Sequence, residues 1–125
     1  MKRILFACCL LTATCAVPFQ KANAQAVVTV TDFTAKVNLM DTYLAAGNMT
    51  MAQTTWNEIH TMMMTELGTT KSNIASAATP AVASSYTTVM QNQYALYQQI
   101  WAMKTDLATN RAPIHTKLLA FAATF

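Results

Sequence analysis

Residues 81–109 read AVASSYTTVMQNQYALYQQIWAMKTDLAT. Val89, Leu96, Ile100, Met103 and Leu107 recur in steps of three, four and seven, the period of one helix face, with Gln93 the one polar break. Tyr86, Met90, Tyr97 and Trp101 make a second stripe beside the first. An apolar band this wide fits a helix packed in a bundle, and the pattern predicts a helix over 81–109.

The same period appears on both sides. Upstream, Met49, Ala52, Trp56, Ile59, Met63 and Leu67 form one stripe, and Ile74 and Ala78 continue it beyond Gly68. A glycine inside a helix costs about 1 kcal/mol relative to alanine, which packing offsets. A single helix is therefore expected over 49–78, with a weak point at Gly68-Thr69-Thr70 and an end set by Pro80, since a residue before proline is pushed out of the α region. Asn48 or Thr50 is its expected cap. Before it, Phe33, Val37, Met40 and Leu44 mark a helix over 32–46, opened by Thr31-Asp32 and stopped at Gly47-Asn48, where glycine accepts the left-handed C-terminal conformation. Downstream, Asn110-Arg111-Ala112-Pro113 is a break. Ile114, Leu118, Phe121 and Phe125 form a last short stripe, predicting a helix over 113–123.

Four helical segments with short joins, no alternating strand pattern and only two glycines indicate an all-α protein, a small antiparallel bundle of about four helices. Residues 25–125 are read as one domain, long enough to bury a core without disulfides.

Residues 1–24 read differently. Lys2 and Arg3 precede a mostly apolar run, Ile4 to Val17, which leads to Ala22-Asn23-Ala24 with Gln25 after it. This is the plan of a cleaved secretory signal, and the run falls short of the ~20 residues a membrane helix needs. Cys8, Cys9 and Cys15 all lie in it. Cys15 follows Thr12-Ala13-Thr14, with no aliphatic residue at the third position back, and Cys8 comes too early to leave an apolar run, so lipidation is not expected. Cleavage after Ala24 would remove every cysteine, and with them any disulfide or thiolate metal site. The expected location is secreted or periplasmic; the leader's close in A-N-A-Q is in the style of a bacterial envelope protein. The mature chain has no second long apolar run and no expected membrane span.

The whole chain carries a formal charge of +3. After cleavage Lys36, Lys71, Lys104, Arg111 and Lys117 balance Asp32, Asp41, Glu58, Glu66 and Asp106. A neutral chain without a basic cluster is not a nucleic-acid binder, because that affinity comes mainly from neutralising phosphates.

Leu39, Tyr43, Gly47, Met49, Ala52, Trp56 and Ile59 lie at the spacings of the packing positions in one tetratricopeptide-repeat hairpin, and residues 39–59 resemble such a unit. The resemblance implies two antiparallel helices in close contact. The small residue usual after the leucine is Met40 here, the closing proline would fall at Met64, and no second copy follows. Since such arrays need about three units, neither an array nor its peptide groove is implied.

Three functional readings follow. The first is an exported, non-enzymatic bundle that binds another envelope protein or a second copy of itself. Its candidate surface is Tyr86, Tyr94, Tyr97 and Trp101, residue types favoured at interfaces. The second is a periplasmic metal-handling protein. His60, Met63 and Met64, in a cluster running from Met62, share a side of one helix at i, i+3, i+4, and imidazole with thioether suits copper; methionine also fills gaps in ordinary cores. The third is a small enzyme with an unfamiliar site. No nucleophile elbow, zinc-binding H-E-x-x-H or glycine-rich phosphate loop is present, and the acid pairs Glu58 with Glu66 and Asp41 with Asp106 suit a solvated surface equally well. No catalytic residue and no cofactor are expected. Asn48-Met49-Thr50 is a formal glycosylation sequon, but a helix cap accounts for the same residues.

Overall fold

The computed structural model describes residues 27–125. The expected leader, its cleavage site after Ala24 and the three cysteines lie outside the described residues. The chain forms helices α1 (Val30–Ala45), α2 (Met49–Ala75), α3 (Pro80–Met103) and α4 (Arg111–Ala122), with a single 3-10 turn, Lys104–Asp106, after α3. Among the described residues there is no strand, and no helix is long and apolar enough to cross a membrane.

Helix α1 starts two residues before the predicted position. The Thr29 hydroxyl accepts from the Asp32 amide at 3.0 Å and donates to the Asp32 carboxylate at 2.7 Å, so Thr29 is the cap and Asp32 sits in the first turn. Asn48 caps α2 by accepting from the Met51 amide at 3.2 Å. Helix α2 runs unbroken through Gly68 but ends at Ala75 instead of 78. Thr79 takes an extended backbone to cap α3, accepting from the Val82 amide, and a link is needed to reach it. Pro80 then occupies the first position of α3, where its missing N–H costs nothing.

At its other end α3 stops at Met103 instead of 109. The Asp106 carboxylate accepts from the Thr109 amide at 2.9 Å, and the Asn110 side chain donates to the Met103 and Asp106 carbonyls. These local side-chain bonds compete with the α ladder and turn the chain. Helix α4 begins at Arg111, two residues before the predicted 113, because Pro113 falls in the first turn, where a missing donor is tolerated.

The helices pack in the ring α1–α2–α3–α4–α1 of an up-and-down bundle. The predicted stripes fill it: Phe33, Val37, Met40 and Leu44 from α1; Ala52, Trp56, Ile59, Met63 and Leu67 from α2; Ile114, Leu118 and Phe121 from α4. Helix α3 contributes less than its sequence promised. Of its own residues only Ile100 and Gln93 are buried, and Leu107 beyond it; Val89, Leu96 and Met103 are half-buried.

On the surface, Arg111 grips Asp41 with two bonds of 2.6 and 2.8 Å across α4 and α1, and this guanidinium holds the Asp41 carboxyl below the usual aspartate range. Lys36 pairs with Glu58 across α1 and α2.

The two glycines predict effects of opposite sign. Gly47 has φ +70°, a conformation that costs an L-residue about 1–2 kcal/mol. Gly68 is mid-helix with open space where a Cβ would go. Thermal melts should therefore show Gly47→Ala destabilising, and Gly68→Ala stabilising by about 0.5–1 kcal/mol. Equal signs for the two would contradict this account of both positions.

Candidate functional site

The seam between α2 and α3 gathers most of the chemically distinctive side chains. Tyr94, Tyr97, Trp101 and Lys104 follow one another at i, i+3, i+7 and i+10, so the pitch of α3 and its 3-10 extension sets them in a row. Ring centroids are 6.4 Å apart for Tyr94–Tyr97 and 5.8 Å for Tyr97–Trp101, with planes within 24° and 23° of parallel. The Lys104 ammonium sits 3.1 Å from the centroid of the Trp101 ring, a cation held by the negative face of an indole.

From α2, His60 closes the row sideways. Its Nε2 lies 3.1 Å from the Tyr97 hydroxyl, and its ring is 4.9 Å from Trp101 and 5.9 Å from Tyr97, centroid to centroid. Two residue sets that the sequence kept apart, the histidine of the methionine cluster and the aromatics of α3, thus form one contiguous group. Its ends remain open, with Tyr94 52% and Trp101 38% exposed.

Tyr86 does not join the other three aromatics. It lies one heptad before Gln93 and two before Ile100, both buried, and is itself half-buried on the core line of α3. The methionines near His60 also separate. Met63 is 0% exposed in the core, whereas Met64 is 49% exposed on the outer side of α2. His115 sits across the bundle, where its Nε2 is 3.1 Å from the Asn38 side-chain oxygen on the α1–α4 seam. Among the described residues no three His, Cys, Asp or Glu side chains converge in a way that could hold a metal ion.

The acid pairs are dispersed as well. Glu58 is paired with Lys36, Asp41 with Arg111, and Asp106 with its own turn. Glu66 lies instead by α3, beside Gln93, which is 0% exposed. The Gln93 Nε2 reaches the Thr124 carbonyl only at 3.5 Å, and its Oε1 has no partner. Burial raises the Glu66 carboxyl above the ordinary glutamate range, with hydrogen bonds from Gln93 and Thr70 opposing the shift. This polar seam was not foreseen. Its signal in the sequence was that Gln93 falls seven residues after Tyr86 and seven before Ile100, on the line of the core.

In the segment that resembles a tetratricopeptide-repeat hairpin, Ala52, Trp56 and Ile59 face the core and Gly47 makes the turn, but Leu39 and Met49 are exposed. No family model matches the chain, and neither a curated protein nor a solved structure matches it.

Proposed function

We propose that this chain is an exported, non-enzymatic bundle that works by binding a partner protein through Tyr94, Tyr97 and Trp101 of α3, with His60 of α2 beside them. The observation that carries this reading is the row itself. Each of its four rings packs on at least one other, so they are already ordered, and its two ends are open to solvent. Ordered aromatics lose little conformational freedom on binding, and Tyr and Trp dominate the energetics of protein interfaces. The surroundings support a protein partner: Lys104 caps the Trp101 end of the row, but residues 72–103 before it contain no Asp, Glu, Lys or Arg, and depletion of charge marks the centre of protein interfaces. Export rests on the reading of residues 1–24.

The test is a photo-crosslinking side chain placed at Tyr94 and, for comparison, at the exposed Ala35 on α1. Position 94 is expected to yield a discrete adduct in the exporting cell, lost when Tyr97 and Trp101 are changed to alanine. Position 35 is expected to yield none. The same adducts from both positions, or none from 94, would remove this surface as the binding site. The recovered chain should begin at Gln25 by intact mass; one beginning at Met1 would sink the export reading.

A further inference from the structure

Helices α2 and α3 outrun their neighbours. At 1.5 Å per residue the 27 residues of α2 span about 40 Å, while the 16 of α1 span about 24 Å and the 12 of α4 about 18 Å. The consequence is visible in burial. The last buried residue of α2 is Thr70 and the first of α3 is Gln93, and between them, over 71–92, no residue is buried. The lower part of the molecule has a four-helix cross-section, and the upper part is a bare two-helix hairpin.

The core stripes do not end where the bundle does. Buried Leu67 is followed one heptad on by Ile74, and buried Ile100 is preceded by Gln93 and then Tyr86. Val89 and Met90 lie on the same side. These four apolar residues are half-buried. An amphipathic face cut off from its partner helices is expected to be covered.

We propose that a second copy of this chain covers it, the two hairpins packing about a two-fold axis so that each supplies the two helices the other lacks. The absence of charge fits this occupant. In a two-fold contact each residue near the axis meets its own counterpart, so a charge placed there meets a like charge. No such charge exists anywhere from 72 to 103, while the rest of the described chain carries ten charged residues. The other occupant close at hand is the segment before α1. Residues 27–29 lead into α1 at the same end of the bundle, where Phe33 of α1 meets Phe121 and Phe125 and where Gln93 meets Thr124. After the expected cleavage only the five residues from Gln25 to Thr29 would precede α1, too few to cover three turns of two helices.

The surface is distinct from the aromatic row, so its test separates from that of the proposed binding site. Sedimentation equilibrium of the chain from Gln25 onward, and of the full 1–125 chain, reads the mass. The 25–125 chain is expected at twice its monomer mass at micromolar concentration. Ile74→Asp with Val89→Asp should halve that mass without loss of helical circular dichroism, because neither residue belongs to the buried core. Tyr94→Ala with Trp101→Ala should leave it doubled. As a second measurement, Tyr86→Cys in the 25–125 chain, which has no other cysteine, should oxidise to a covalent dimer, and Ala35→Cys should not. A monomeric 25–125 chain, a dimer indifferent to the paired aspartates, or equal oxidation of both cysteine variants would each overturn the proposal. A dimer formed by 25–125 but not by 1–125 would support it and show that the leader competes for the same face.

Discussion

Phe33→Ala is expected to bring the bundle to the edge of unfolding. Phe33 is fully buried, and its ring lies 5.7 Å from Phe121 and 5.2 Å from Phe125, the latter edge-on; Phe121 and Phe125 are themselves 5.8 Å apart and nearly perpendicular. This trio joins the first turn of α1 to the last turn of α4 and the residues just after it, at the ends of the two shortest α-helices. Truncating a buried phenylalanine costs about 3–5 kcal/mol in transfer and cavity terms. A domain of this size has only about 5–15 kcal/mol in total. With each kcal/mol shifting Tm by about 4–8 °C in a domain of 60–100 residues, the melt should move down by tens of degrees. Leu39→Ala, on the exposed side of the same helix, controls for helix propensity and should hardly move it. A loss below about 1 kcal/mol for Phe33→Ala would mean that the α1–α4 contact is not part of the cooperative core.

Phe33 also shows what the residue order could reveal. Its stripe with Val37, Met40 and Leu44 is a local pattern, and all four are buried. The same holds for Trp56, Ile59 and Met63 of α2 and for Ile114, Leu118 and Phe121 of α4. Caps are local too, so Asn48 and Gly47 were legible. Two of the helix ends that moved did so where local side-chain bonds redirect the backbone: Thr29, ahead of Thr31, caps the start of α1, and Asp106 with Asn110 interrupt the ladder of α3. Periodicity does not report how far neighbouring helices reach. Val89 and Tyr86 lie in a stretch of α3 that α1 and α4 do not cover, so Val89, read as a core position, is only half-buried, as is Tyr86, read as part of the binding surface.

The candidate site was legible by composition and not by geometry. Tyr94, Tyr97 and Trp101 were recognisable as an aromatic group, but their tie to His60 crosses 37 residues of sequence and depends on the rotation of α2 against α3. That rotation also decides that Met63 turns into the core and Met64 out of it. An i, i+3, i+4 spacing puts residues on one broad side of a helix, spanning about 100°, and the edge of the core falls within that arc.

Gln93→Met is expected to stabilise the protein, most strongly in mild acid. The side chain is fully enclosed, its Oε1 has no donor, and its Nε2 reaches the Thr124 carbonyl only at 3.5 Å, the outer limit of hydrogen-bond length, while also lying beside the Glu66 carboxyl. Leaving one buried acceptor unsatisfied costs about 1–3 kcal/mol. Methionine is close to glutamine in length, removes both polar ends and adapts to irregular surroundings. The gain should therefore be about 1–2 kcal/mol where nothing else changes. Something else does change through Glu66. Burial raises its folded-state pKa above the unfolded value, so its contribution favours the fold below the ordinary glutamate range and is lost as pH rises through the raised value. Gln93 opposes that rise by donating to the carboxylate. Without it the Glu66 carboxyl moves further up, and the ionised form loses a donor. The stabilisation by Gln93→Met should then be near its full size at about pH 4 and shrink towards pH 7. Asp41 runs the opposite way, since its lowered pKa withdraws stability as pH falls through it, but it acts equally in both proteins and cancels in the difference. Urea denaturation of the two chains at both pH values measures that difference directly. A variant less stable than the parent by about 1 kcal/mol or more at both pH values would mean that the amide is satisfied in solution and is part of what holds α2, α3 and α4 together.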